Sequence, residues 1–385
     1  MNSASTRCRR LVLAGLLLAA GAAPAAEVEL IAVLTPPPAH ADAMSYAAAV
    51  LRGVDGAIYL LDRSDGRLLR IRDNAVDAAA LTGKDKPFRS RKLGGFAQIG
   101  KDQFAVANTS DDLLAVVAAD GKAQIVFSGG GSAHGELKDP GGVAFSTRQR
   151  LYVADRSNAR VSVYTPDGLF LIAIGEQDPA TDKLERPVQV GVDGSERVYV
   201  LEEKGRLSFY KHNGALIRRL NAESLKDASD RRPAWSALAV SVEGDVFIAD
   251  KANGKILWID GASGKLLRRF GSRGSGRGQF EEVTALAAAP NRELIVADSG
   301  NKKIEIYRTP APEKEVPATA LSLANVRRGP SRALECEAAY FQAADLLCLK
   351  RSPSTVARLT PDGKQTGKLG GNFSSPRIVT STDKG

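Results

Sequence analysis

The residues that could do chemistry are few, and most of them recur. Acids stand at Asp62, Asp155, Glu202, Asp250 and Asp298, and Asn108 and Lys350 fill the same position in two further copies. A ring of carboxylates could hold a cation through oxygen ligands or act as general acids and bases. An active site, however, needs a few positions that differ from one another. An acid that returns once per repeat is better explained as a turn cap. The histidines, His40, His134 and His212, are scattered along the chain and do not form a three-ligand zinc site. The glycine-rich stretch from Gly271 to Gly278 carries neither a phosphate-loop lysine nor a following helix, and no G-x-S-x-G elbow occurs. No metal site, cofactor or catalytic residue is expected.

What positions the recurring acids is a repeat. Leu151–Tyr164, Val246–Ile259 and Leu294–Tyr307 align as strand, Asp-x-x-Asn turn, basic residue and second strand, with Asp155/Asn158, Asp250/Asn253 and Asp298/Asn301 in the turns. With the weaker copies, the anchors fall at 62, 108, 155, 202, 250, 298 and 350, spaced 46 to 52 residues apart. Another apolar run precedes each anchor strand. A turn such as Pro166-Asp167-Gly168 and a further strand follow the second. Four short strands in about 47 residues describe the blade of a β-propeller, and no segment sustains the 3.6-residue period of a helical solenoid. The spacing predicts an all-β propeller of six or seven four-stranded blades, seven by repeat count.

The Asp-x-x-Asn-x-Arg/Lys-Ile/Val core and the glycine-rich linker before Phe280 resemble the NHL repeat family, closely over about residues 140–310. The resemblance implies a propeller, usually six-bladed, and says little about activity. Three ways of closing the ring remain open. The last segment, to Gly385, could pair with the first blade around Ile58–Ile71, or Glu27–Leu34 could close the ring. Alternatively, the chain is a piece of a longer protein.

The first residues read as an address. Arg7, Arg9 and Arg10, an apolar run from Leu11 to Leu18 and Ala23-Pro24-Ala25 describe a secretory signal peptide over 1–25. A leader over 26–44 and a single propeller over 45–385 would follow. Removing the signal takes the formal charge from +9 to +6 and leaves Cys336 and Cys348, which could bridge neighbouring strands or stay as two buried thiols. The expected location is periplasmic or extracellular, with no membrane span after signal removal.

Together these features predict an exported, non-enzymatic binding scaffold that engages a protein, peptide or envelope polymer through its loops. The segments that depart most from the repeat are Asp73–Arg91, Ala222–Trp235 and Pro310–Pro330, and Arg231, Arg232 and Trp235 are the candidate contact residues. One alternative is a calcium-dependent, lactonase-like propeller hydrolase or lyase with its site in the central channel. The second is an RNA-binding NHL domain. Export and an aromatic content of 6% both weigh against nucleic acid as the partner.

Overall fold

A computed structural model describes residues 27–35, 44, 46–73, 75–127, 129–176 and 183–311 in full, and 338–342, 345–350, 355–359 and 365–369 as backbone. The chain divides into two compact units, Met1–Pro312 and Glu313–Gly385.

The first unit is a ring of six antiparallel, four-stranded blades. Strand β1 is Glu29–Leu34. Blade 1 holds β2 (Ala47–Arg52), β3 (Ile58–Asp62), β4 (Arg67–Arg72) and β5 (Ala75–Ala80). Blade 2 holds β6 (Leu93–Gly100), β7 (Gln103–Asn108), β8 (Leu113–Ala118) and β9 (Ala123–Phe127). Blade 3 runs through β10 (Pro140–Phe145), β11 (Leu151–Asp155), β12 (Arg160–Tyr164) and β13 (Phe170–Ile174). Blade 4 follows with β14 (Pro187–Val192), β15 (Val198–Glu202), β16 (Arg206–Tyr210) and β17 (Leu216–Asn221). Blade 5 has β18 (Trp235–Val240), β19 (Asp245–Asp250), β20 (Lys255–Asp260) and β21 (Leu266–Phe270). A short parallel pair, β22 (Ser272–Arg273) and β23 (Gln279–Phe280), leads into blade 6, made of β24 (Val283–Ala289), β25 (Glu293–Asp298) and β26 (Lys303–Arg308).

Position in the ring explains strand composition. Middle strands such as β3, β11 and β15 are buried along their whole length because neighbouring blades cover both faces, so they read as continuous apolar runs. Inner strands converge on the axis and carry small residues. A Cβ built on Gly95 would lie 2.8 Å from the Cα of Gly142, and one on Gly142 would lie 2.9 Å from the Cα of Gln189. Glycine therefore lets three successive blades approach closely.

Ring closure is settled in favour of the N-terminal strand. Strand β1 pairs antiparallel with β26 and becomes the outer strand of blade 6. Ile31, Ala32 and Leu34 from β1 pack against a core shared by blade 1 (Met44, Leu60, Leu69) and blade 6 (Ile295, Ile304). Five further clusters occupy the remaining blade interfaces, so apolar burial runs around the whole ring. The expected leader over 26–44 thus contributes a structural strand.

Six of the seven counted repeats form the ring. The seventh, around Lys350, forms a separate antiparallel sheet in the second unit: β27 (Ala338–Gln342), β28 (Asp345–Lys350), β29 (Thr355–Leu359) and β30 (Gln365–Leu369). A single ring spanning 45–385 is therefore divided, because β1 has already supplied the missing strand. Among the described residues no helix is long and apolar enough to cross a membrane. The 1–25 segment and Cys336 lie outside the described residues. Cys348 lies on β28, where its backbone is in register with Ala339.

Candidate functional site

The recurring acids are spent on structure. Asp62, Asp155 and Asp298 are fully buried, as is Asn108, and Glu202 and Asp250 nearly so. Asp62 bonds Ser64 and Arg67 of its own hairpin, and the others join their own turn to the linker arriving from the preceding blade. Asp155 accepts from the Lys138 amide at 2.8 Å and from Asn158 at 2.9 Å. Asp250 accepts from the Ala234 amide at 2.9 Å and from Asn253 at 2.7 Å. Asp298 accepts from the Glu282 amide at 2.9 Å and from Asn301 at 2.6 Å. Glu202 accepts from the Glu185 amide at 2.6 Å. The basic residue that follows reaches linker carbonyls: Arg160 donates to Ala133 at 2.7 Å, Arg206 to Lys183 at 2.9 Å and Lys303 to Gly276 at 2.7 Å. Burial, the largest cause, pushes the Asp155 carboxyl above its usual range against these bonds.

The residue immediately after each anchor has a different setting. Positions Arg63, Thr109, Arg156, Glu203 and Lys251 line one mouth of the central channel, around a cavity of about 560 Å³. The sixth, Ser299, is hydrogen-bonded at 2.7 Å to Thr284, which also lines it. Inside this ring lies a second one, Ala48, Gly94, Gly141, Val188, Ser236 and Thr284. All six occupy register shifts at the start of an inner strand, where a bulge turns the backbone towards the axis. Tyr46, 59% exposed, adds an aromatic ring beside them. The channel below narrows to about 200 Å³ and is walled by Ala, Gly, Val, Leu and Phe, with Gln189 the polar side chain.

Charge around the mouth is mixed and unevenly paired. Arg156 faces Glu203 at 3.3 Å and Asp139 at 3.7 Å. Lys251 faces Glu282 at 3.7 Å. Arg63 donates its Nε to the Leu93 carbonyl at 2.6 Å. Although open to water, Arg63 is hemmed in by the mouth walls. Their desolvation, followed by the Arg156 cation, lowers its pKa, though an arginine shifted downwards still carries its charge.

The three candidate contact residues do not form one surface. Arg231 and Arg232 are exposed, the latter with 94% of its side chain free. Trp235 is only 7% exposed and packs with Leu201, Ala222 and Leu238 in the core between blades 4 and 5. It begins β18 at the position filled by Leu93 and Val283 in β6 and β24, both buried. The loop carrying it is also pinned: Asp230 takes a bond from Lys255, and Asn253 holds both backbone groups of Arg231. The Asp73–Arg91 segment is anchored by fully buried Leu81 and Phe88. Most of Pro310–Pro330 lies outside the described residues.

His134 pairs with Glu176 at 2.8 Å and stacks on Phe170, and His212 sits in the turn between β16 and β17; neither lines the channel. Among the described residues no group of three His, Cys, Asp or Glu side chains is placed to hold a metal. Sequence reasoning missed the mouth ring. Its signal was present one residue after each anchor, where the repeat loses its regularity.

The NHL repeat is matched over residues 137–164, across the end of the linker into blade 3 and its first three strands. With that match inside a closed six-bladed ring, the first unit is a β-propeller that carries an NHL repeat. No curated protein sequence matches it. Among solved structures, a streptogramin B lyase superposes with a TM-score of 0.51 at 10% identity, covering 73% of this chain and 88% of that one. A protein of unknown function from Bacteroides thetaiotaomicron VPI-5482 superposes with a TM-score of 0.50 at 15% identity, covering 68% and 69%. Virginiamycin B lyase from Staphylococcus aureus reaches 0.48 at 12% identity, over 68% and 80%. At these identities the likeness is one of fold.

Proposed function

We propose that the protein is an exported binding scaffold whose channel mouth receives a peptide, a protein segment or an envelope polymer. The observation that carries this reading is the mouth itself. Six equivalent positions hold Arg, Thr, Arg, Glu, Lys and Ser, around a cavity of about 560 Å³ with an exposed Tyr46. The middle strands between these positions keep apolar residue types for packing. Residue variation on a concave, polar rim is what recognition of one particular ligand requires. The channel beneath has Gln189 as its polar wall residue, which suits a closed floor better than a reaction chamber.

Selection from a random peptide library against the mature protein tests the reading. Selected peptides should lose binding in Tyr46→Ala and Lys251→Glu variants and keep it in Leu267→Ser, on the outer strand β21. Peptides indifferent to both mouth variants would overturn the proposal, as would calcium-dependent turnover of lactones by the purified protein. Export is checked on the native N-terminus by mass spectrometry. It should begin just after Ala25, and a chain retaining Met1 would refute the assignment.

A further inference from the structure

We infer that the channel mouth contains a seat for an oxyanion, a carboxylate or phosphate group of the ligand, with Arg63 as the residue that receives it. The inference rests on reading the mouth as the binding face. It follows from pairing the charges that line the cavity. Three cations, Arg63, Arg156 and Lys251, face two carboxylates, Glu203 and Glu282. Glu203 lies 3.3 Å from Arg156, and Glu282 lies 3.7 Å from Lys251. Each acid thus already faces another cation, and Arg63 is left without a counter-charge.

Its immediate surroundings do not supply one. The Nε–H is held by the Leu93 carbonyl at 2.6 Å, which leaves both terminal amino groups of the guanidinium without a partner among the described residues. The neighbouring mouth position is Thr109, a neutral residue whose hydroxyl donates to the Pro140 carbonyl at 2.9 Å. Beyond it stands Arg156, which adds positive potential to the same side of the mouth and whose own Nε is buried without a partner. Elsewhere in the fold, the arginines that point inward from the turns are matched. Arg67 meets Asp62 at 2.9 Å, Arg160 meets Asp155 at 2.8 Å, and Arg206 is held by Glu202. An unmatched guanidinium fixed along one edge, at the wall of a concave mouth, favours a planar or tetrahedral oxyanion offering two oxygens to its free donors.

The test uses mature protein at low ionic strength and two probes, tricarballylate for carboxylate and inorganic phosphate. Titration calorimetry should show saturable uptake of one probe per chain, and the stronger probe identifies the anion. Arg63→Gln should weaken that uptake by roughly 10-fold or more, the loss of a charge-assisted contact. Arg232→Gln removes the same charge from an exposed site and should leave uptake unchanged. Thermal unfolding checks that Arg63→Gln is folded and that the probe raises the Tm of wild type more than that of the variant. Equal weakening by both substitutions would overturn the inference, since it would mean general charge attraction. Absence of saturable uptake of either probe would overturn it as well. If selected peptides still depend on Tyr46 while nothing depends on Arg63, the anion seat falls and the mouth remains the binding face.

Discussion

Replacing Arg160 with leucine isolates the link between a blade and its incoming linker. Arg160 and Asp155 have side chains 1% and 0% exposed and meet at 2.8 Å. The guanidinium also donates to the carbonyls of Ala133 at 2.7 Å and Glu136 at 3.0 Å. Arg160→Leu leaves a buried carboxylate without its cation and the Glu136 carbonyl without its side-chain donor, while Ala133 keeps only the Glu136 amide, a loss of about 3–5 kcal/mol. For a unit of this size each kcal/mol lowers Tm by about 2–4 °C, so the variant should melt roughly 6–20 °C below wild type. Blade 2 shows how the site can dispense with both charges. There Asn108 holds the acid's place and Leu113 the cation's, and the Asn108 amide donates directly to the linker carbonyl of Ser90. The double variant Asp155→Asn/Arg160→Leu rebuilds that arrangement and should recover to within about 1–2 kcal/mol of wild type. The pH dependence has a definite sign. Burial already raises Asp155 above its usual range, and losing Arg160 raises it further. Proton uptake then favours the folded state, so the deficit of Arg160→Leu should shrink as pH falls from 7 through the raised pKa. Urea and thermal unfolding by circular dichroism read both effects. A double variant no more stable than the single, or a deficit that grows on acidification, would refute the reasoning.

Three further outcomes are expected. Gly142→Ala places a Cβ 2.9 Å from the Cα of Gln189 and should lower stability by about 1–3 kcal/mol in urea titration, while Gly129→Ala, with open space around it, should stay within about 0.5 kcal/mol. Burial tends to raise the Asp230 carboxyl, but the bonds from Lys255 and the Asp227 amide outweigh it and hold it below the ordinary range. The stability that wild type has over Asp230→Asn should therefore be constant above pH ~5 and disappear as pH falls through the depressed pKa, followed by Tm against pH. A chain lacking residues 27–35 exposes the β26 edge and the apolar surface shared by blades 1 and 6, and should show a lower Tm that a synthetic 27–35 peptide restores.

The blades were legible in the sequence because the anchor turn is a local device. An Asp or Asn, a second Asn three residues later and a basic residue can be read wherever they stand. Ring closure was not legible in the same way: Glu29–Leu34 belongs to no repeat, and its partner β26 is nearly the whole unit away in sequence. Trp235 was misassigned because residue type was given more weight than register. Aligned with Leu93 and Val283, it falls at a buried strand start whatever the usual habit of Trp beside Arg. The mouth ring escaped for the opposite reason. Its positions share no residue type, and only the convergence of six inner strands brings them around one cavity.

Strand β1 is made first and used last. On a ribosome it emerges roughly 270 residues before its partner β26, a wait of roughly 14 to 55 s at about 5–20 residues per second. Throughout that interval blade 1 can fold while its face towards blade 6 remains open, and blade 6 has no outer strand to recruit from nearby sequence. The ring therefore cannot be completed one blade at a time. Its final contact requires the two ends of a finished row to meet, with a closure entropy that grows only logarithmically with their separation. The protein should consequently acquire its full resistance to proteolysis in one late step, after Arg308 has left the ribosome tunnel.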